Sequence, residues 1–492
     1  MASLILYLVL IPIIGVVGVA FSGAKSARRW AIGTGATTAI LSLFGLIATE
    51  RVQSGFHHFV SLPWLPRLGL QFLFGLDGMS SLLVLLTAWL AFAAIVAAPV
   101  KTGAQKLHYG SILAATGLTI AAFSALDLLL FYVAFEACLI PVLFTIGVLG
   151  GADRSKAAVS FFVFTVLGSL MLLSAIIGIR LEVGTFDYLR IREVAAGTGL
   201  TDKLSTWIVI SSVLAFGIKA AMFPLHGWLS RTYANTPIGM LVVLSGVMAK
   251  LGTYGFVRFM FPLAGDAVTP FIPLLMTLAV VGILYGGIVA AGQKDIKLVV
   301  AFSSISHIGY ILLGIFSGNT IATSGAVLQM VNHGVTTAAL LLCIGWIEVH
   351  RGSRNVDSLG GIWDDSPFFS RLLLIFTFSA VALPLTNGFV GEFLILLGSF
   401  YDYPIHVAVA SAGAIASAVY MLIMVQRAIY GKVKGLHASP VTLGSSEKSV
   451  MIAFVILVFS IGIAPGSLLN LAVDHGHVAS KPSVQVLGEV SK

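Results

Sequence analysis

Residues 215–227 read Ala215-Phe216-Gly217-Ile218-Lys219-Ala220-Ala221-Met222-Phe223-Pro224-Leu225-His226-Gly227. The stretch is apolar enough for a membrane core, yet it holds a lysine and then a proline. Proline removes a backbone donor and clashes with the preceding turn. A helix broken inside the hydrocarbon is tolerated only where the freed backbone is covered by protein or lines water. A second stretch repeats the design: Ala382-Leu383-Pro384-Leu385-Thr386-Asn387-Gly388-Phe389-Val390-Gly391-Glu392. Interrupted helices in corresponding places of two halves point to an internal inverted repeat with an ion site between them.

The chain around these breaks is apolar throughout. Of 492 residues, 58% are hydrophobic and 10% charged, where a soluble protein carries about 25% charged residues. Apolar runs of about eighteen residues or more recur from end to end. The spans expected are 2–21, 30–49, 77–98, 109–125, 128–149, 157–180, 206–230, 237–259, 271–291, 298–315, 322–347, 369–399, 405–430 and 450–470. This is an all-α membrane protein of about fourteen transmembrane helices. The breaks fall in helices 7 and 12, which predicts two inverted five-helix repeats. Helices 4–8 would occupy 109–259 and helices 9–13 would occupy 271–430. Helices 1–3 fill 1–108, helix 14 is 450–470, and 471–492 is a polar tail.

Lysine and arginine set the orientation. Loops after odd-numbered helices carry seventeen, including Lys25, Arg28, Arg29, Lys297, Arg351 and Arg354. Loops after even-numbered helices carry seven: Arg51, Arg67, Arg180, Arg190, Arg192, Lys203 and Arg258. The excess places the odd loops in the cytoplasm and both termini on the opposite side. The first basic residues follow the first apolar run rather than preceding it, so 2–21 reads as a retained helix and not a signal peptide.

Other classes are set aside on composition. The net charge of +8 reflects topology, since no basic patch with interleaved aromatics indicates nucleic acid. Cys138 and Cys343 lie in apolar runs, and an iron–sulfur cluster needs about four thiolates. Neither a G-x-G-x-x-G after a strand nor a P-loop occurs. The histidines have no metal-ligand spacing. This chain is therefore expected to hold no metal and no cofactor.

What remains is a set of ionisable residues inside the spans: Glu136 in Phe131-Tyr-Val-Ala-Phe-Glu136-Ala-Cys-Leu-Ile-Pro141, then Lys219, Lys250, His307, His333 and Glu392. A charge at the bilayer centre costs roughly 3 kcal/mol on insertion scales. Glu136, Lys219, Lys250 and Glu392 together would cost about 12 kcal/mol uncompensated, comparable with the net stability of a domain. Such residues are paired, hydrated or neutralised. Residues of these types on six helices suit a proton relay better than six separate structural contacts. Were Glu136 and Lys219 about 7 Å apart at an effective dielectric of about 20, they would attract by roughly 2.4 kcal/mol. Making and breaking that pair would be enough to push a proton onward.

The same motifs resemble a family. Phe135-Glu136-Ala-Cys-Leu-Ile-Pro141, Lys219 with Pro224-Leu-His-Gly-Trp-Leu, Met248-Ala-Lys250-Leu-Gly, Ser304-Ile-Ser-His307-Ile-Gly, Asn332-His333-Gly and Asn387-Gly-Phe-Val-Gly-Glu392-Phe resemble the antiporter-like proton-pumping subunits of respiratory complex I, the NADH–quinone oxidoreductase. They are most similar to its chain M, the mitochondrial subunit four type. The resemblance implies that Glu136 and Lys219 form the coupling pair of a first half-channel. It implies that Lys250 is the central relay, that His307 and His333 link across the middle, and that Glu392 ends a second half-channel. A glutamate at 392 favours chain M over its L-type and N-type sisters, which usually carry lysine. Leu385-Thr-Asn-Gly388 departs from the usual glycine-rich turn. The resemblance further implies a bacterial inner-membrane location, partner membrane subunits, and flavin and iron–sulfur clusters in partner subunits. Neighbouring readings are a subunit of a Mrp-type sodium/proton antiporter or membrane-bound hydrogenase, and, in another class, a structural membrane scaffold.

Overall fold

The computed structural model describes residues 3–50, 55–100, 103–432 and 439–473. Arg51, Lys101, Lys434 and most of the expected tail, 474–492, lie outside them. In chain order the helices are α1 (Ser3–Phe21), α2 (Ala24–Glu50), α3 (Gly78–Ala97), α4 (Gln105–Ser124), α5 (Leu128–Ala137), α6 (Leu139–Leu149), α7 (Arg154–Val183), α8 (Tyr188–Gly197), α9 (Asp202–Ala220), α10 (Leu229–Asn235) and α11 (Ile238–Val243). Then follow α12 (Lys250–Gly255), α13 (Phe261–Ala264), α14 (Ile272–Ala291), α15 (Ile296–Phe316), α16 (Thr320–Arg351), α17 (Ile362–Asp365), α18 (Pro367–Ala380), α19 (Asn387–Phe400), α20 (Pro404–Ala428), α21 (Ser445–Ile463) and α22 (Gly466–Val473).

Among the described residues, twelve helices are long and apolar enough to cross a membrane. Two of the expected spans, 237–259 and 271–291, fall within one helical run, Ile238–Ala291. Another, 369–399, is split into α18 and α19, each too short to cross alone. The last expected helix is shifted: α21 stops at Ile463, and α22 extends into what was expected to be tail.

Burial sorts the helices into a centre and a lipid-facing rim. Within α15 every residue but Leu298 is buried, and α16 is buried from Ala322 to Gly345. By contrast α7 turns Val159, Phe162, Val163, Leu167, Leu170 and Ile177 outward. Lipid tails are as apolar as these side chains, so burial from water does not drive helix against helix here. Close approach at small residues and buried polar contacts do that instead.

Two features were not expected from the sequence. A β-hairpin, β1 (His57–Leu65) and β2 (Leu70–Leu76), fills what read as a loop. Gly69 takes the left-handed conformation (φ 73°) that closes its turn, which costs glycine nothing. Within the charged loop 181–205 lies α8, capped by the Asp187 carboxylate on the N–H groups of Leu189 and Arg190.

Asp77 and Asp127 cap α3 and α5, as carboxylates at helix starts should. One residue needs correction. Arg258, counted with the loops, is 5% exposed and lies inside the Ile238–Ala291 run. It pairs with Asp77 and donates from Nε to the Tyr254 hydroxyl at 3.2 Å. That hydroxyl donates to the Phe123 carbonyl at 2.9 Å. The arginine pins the hairpin's exit to the helix run and reports nothing about orientation. Lys297, also counted with the loops, is 2% exposed.

Candidate functional site

The first break follows from its sequence. Proline at 224 cannot continue the ladder of α9, so the helix stops at Ala220 and Ala221 turns into the left-handed region (φ 58°). The freed carbonyls find partners: Ile218 O accepts from Trp228 Nε1 at 2.9 Å, and Gly217 O from Met222 N–H at 2.8 Å. Lys219 is fixed one residue before the stop, 4% exposed.

A further interruption, unmarked in the expected spans, sits opposite. The 128–149 helix is two pieces, α5 and α6, meeting at Cys138. Pro141 has no N–H, so the Ala137 carbonyl four residues back loses its partner. Glu136 lies on the last turn before this joint and is half-buried.

Glu136 and Lys219 approach without forming an ion pair. Lys219 Nζ donates to the Phe135 carbonyl at 2.9 Å, reaches Cys138 Sγ at 3.7 Å, and stands 4.1 Å from the centroid of the Phe135 ring. The lysine thus holds the carbonyl of the residue next to Glu136, and Glu136 Oε1 has no hydrogen-bond partner among the described residues. His226, at the break, packs between Phe223 and Tyr285 at 5.6 and 4.8 Å.

The middle of the site depends on a local change of helix type. Residues Leu244–Met248 form a π-helical turn between α11 and α12. Ala249 N–H reaches back five residues to Leu244 O rather than four to Ser245 O. Ser245 O instead accepts from Lys250 Nζ at 2.6 Å. Lys250 Nζ also meets His333 Nδ1 at 2.6 Å; when the lysine is the ammonium it donates there, and the neutral imidazole is then the Nε2–H tautomer. Two glycines permit the contact. A Cβ on Gly334 would lie 2.8 Å from the Gly246 carbonyl oxygen, so only glycine lets α16 come this close. On the other side, Gly252 packs on the α9 backbone at Phe216 O and Ala220 N, beside Lys219.

The second break is joined more tightly. After α18, Ala382 and Leu385 adopt positive φ (57° and 75°), and α19 restarts at Asn387. Unwinding therefore proceeds without the glycine-rich turn. Asn387 holds the break to α16: its Nδ2 donates to Asn332 O at 3.2 Å, while Asn332 Nδ2 donates to Asn387 O at 2.7 Å. Ser379 Oγ donates to Asn387 Oδ1 at 2.6 Å. One turn into α19, Glu392 Oε1 accepts from His307 Nδ1 at 2.8 Å and from Gln329 Nε2 at 3.2 Å. Glu392, His307, His333 and Lys250 are each 5% exposed or less.

The two histidines face one another, ring centroids 5.5 Å apart. The Nε2 atoms of both are buried without a partner among the described residues. Both rings line a small polar cavity with Ser303, Asn332, Thr336 and Ser379. About 10 Å³ of it is open to the centre of a water molecule, room for about one water. Four of the six residues singled out in the sequence thus form two hydrogen-bonded pairs around one cavity. Glu136 and Lys219 stand beside each other without direct contact.

Sequence reasoning missed Gln329, Asn387 and Cys138 as members of the site. A polar run in a helix buried on all sides, Gln329-x-x-Asn332-His333, was the signal available for the first.

Residues 125–417 match the family described as NADH:quinone oxidoreductase/Mrp antiporter, TM. Over 469 residues the chain is 33% identical to NADH-ubiquinone oxidoreductase chain 4 of Marchantia polymorpha, covering 94% of each. It is 33% identical over 472 residues to NADH-quinone oxidoreductase subunit M of Rickettsia prowazekii, covering 94% of this chain and 96% of that one. A chain of respiratory complex I from Thermus thermophilus with bound NADH superposes with a TM-score of 0.88 at 30% identity, over 97% of this chain and all of that one.

Proposed function

Since the chain belongs to the NADH:quinone oxidoreductase/Mrp antiporter family and is an antiporter-like membrane subunit of an NADH–quinone oxidoreductase, we propose that it carries protons along a mid-membrane line of Glu136, Lys219, Lys250, His333, His307 and Glu392. One observation carries this reading: Lys250 to His333 and His307 to Glu392 are joined pairs, drawn from four helices, that meet across a polar cavity. A proton leaving Lys250 Nζ arrives on His333 Nδ1. The imidazolium so formed releases a different proton from Nε2 into the cavity. His307 Nε2 takes it up, and the His307 Nδ1 proton passes to Glu392. Each imidazole gains one proton and loses another, ending with its proton on the opposite nitrogen, while Lys250 is left a neutral amine and Glu392 a carboxylic acid. The line resets when Glu392 gives up its proton, both imidazoles return to their first tautomers and a new proton reaches Lys250.

In the first half, Lys219 is held by a carbonyl and a ring, with an unpartnered carboxylate oxygen on Glu136 close by. Closing that gap draws the lysine charge towards Glu136 and away from Lys250. Electron transfer from NADH to quinone belongs to partner subunits, which hold the flavin and the iron–sulfur clusters. This chain offers only two cysteines, both buried, where a cluster needs about four.

The chain crosses the bacterial inner membrane fourteen times: the Ile238–Ala291 run crosses twice, and α18 with α19 makes one broken crossing. The inverted repeats are 109–259 and 271–430, each with its broken helix. The odd-numbered loops face the cytoplasm and both termini face away. The assembly neighbours are L-type and N-type sister subunits. The names of the relatives and the carboxylate at 392 favour this over a Mrp-type antiporter or a hydrogenase subunit.

The test is Lys250→Ala in the assembled complex, in inverted membrane vesicles. It strips two buried acceptors, His333 Nδ1 and the Ser245 carbonyl, of the lysine donor, about 1–3 kcal/mol each, so assembly is checked by co-purification before pumping is measured. Uncoupled NADH oxidation should persist while protons moved per NADH fall. A scaffold would leave that ratio unchanged.

A further inference from the structure

A second polar feature lies away from the lateral line. A cavity of about 560 Å³ is lined by Ala104, His108, Thr236, Lys297, Trp346 and Arg354, with neighbours from 149–151. Every contributing segment belongs to a loop, or the adjoining helix end, that follows an odd-numbered span. Its mouth is salt-bridged: Arg354 reaches Asp295 at 3.0 Å and Glu348 at 3.7 Å. Its floor is not satisfied. His108 is 2% exposed, and its Nε2 has no partner among the described residues. The imidazole rests on Gly239, where a Cβ would come within 2.6 Å of Nε2.

Beyond Gly239 the helix leads to Lys250. Ser245 is six residues further on, about 9 Å at helical rise. There the Tyr233 and Ser245 hydroxyls are neighbours. Both residues are fully buried, and although the two hydroxyls approach one another, neither makes a hydrogen bond of ordinary geometry among the described residues, nor does Thr232 Oγ1. The Ser245 carbonyl already holds Lys250 Nζ. Buried polar atoms are nearly all hydrogen-bonded in proteins. Four that lack such a bond lie between the cavity and the buried lysine, and ordered water is what ordinarily satisfies such groups.

We propose that Lys250 exchanges protons with the odd-loop face through a branch formed by His108, Tyr233 and Ser245. The branch presupposes the relay role of Lys250 and adds where its proton comes from. A proton taken up from the cavity enters at His108. Each water and hydroxyl along the branch accepts one proton and releases the one it held. The neutral amine of Lys250 becomes the ammonium, and the odd-loop side loses one proton.

Tyr233→Phe removes only the hydroxyl, and His108→Gln only the titratable ring. In inverted vesicles carrying the assembled complex, each should lower protons pumped per NADH several-fold and raise the solvent deuterium isotope effect on pumping, with uncoupled NADH oxidation unchanged. His108→Cys should react with a membrane-impermeant thiol reagent from the odd-loop face alone, which decides the matter should either other variant fail to assemble. Wild-type pumping and isotope effect in both variants, or labelling of His108→Cys from the opposite face or from neither, overturns the branch. Lys250→Ala separates the two ideas: if it stops pumping while Tyr233→Phe and His108→Gln do not, the branch is wrong and the relay stands. If Lys250→Ala pumps normally, the relay itself fails.

Discussion

The two broken helices carry similar residues and treat them differently. At the first, Lys219 leans on a backbone carbonyl and an aromatic ring, while the half-buried Glu136 nearby keeps an oxygen without a partner. At the second, Glu392 is clamped by His307 and Gln329, and the break itself is tied to α16 through Asn332 and Asn387. The contrast separates two uses of intramembrane charge. An open pair can close and open again at low cost, which suits a switch. A clamped chain holds its geometry, which suits conduction between fixed points.

The contrast can be broken at the clamped end first. Glu392→Ala removes one partner of a buried pair and strands His307 Nδ1 and Gln329. Each buried donor left without its acceptor costs about 1–3 kcal/mol, and two are stranded at once. The variant should show the largest loss of thermal stability in the solubilised complex, together with loss of pumping. A melting temperature equal to that of wild type would mean that the clamp is not under tension from burial.

Next comes the close approach in the middle. Gly334→Ala inserts a methyl against the Gly246 carbonyl, and overpacking of this kind costs about 1–3 kcal/mol. It should separate His333 from Lys250, so protons per NADH should fall although every titratable group is present. Full pumping in this variant would show that the 2.6 Å contact is dispensable.

The smallest stability effect belongs to the open end. Glu136→Gln keeps shape and removes charge from a carboxylate whose Oε1 has no hydrogen-bond partner among the described residues. Its effect on melting should stay within about 0.5 kcal/mol equivalent, as for substitutions away from tight contacts, while proton transfer slows. A loss of stability as large as that of Glu392→Ala would erase the distinction between the two halves.

Much of this was legible in the chain. Long apolar runs give membrane helices because the bilayer sets their length. Proline flanked by polar and small residues gives the breaks because nothing else in lipid releases a backbone group so directly. Lys250, His307, His333 and Glu392 were visible because charge inside such runs is costly.

The remainder depended on distant partners. Arg258 looked like a flank because it sits near the end of a run, and its partner Asp77 lies 181 residues away. The π-helical turn before Lys250 has no local code in the chain, and its Gly246 lies against Gly334 of another helix. The hairpin escaped because Pro63 interrupts an already irregular alternation in His57–Leu65. The joint at Cys138 could have been read from Pro141, four residues after the carbonyl it frees.

The most direct test breaks the line at its middle joint. His333→Ala should leave the complex oxidising NADH at the uncoupled rate while reconstituted proteoliposomes record fewer protons moved per NADH. An unchanged ratio would contradict a proton path through Lys250 and His307.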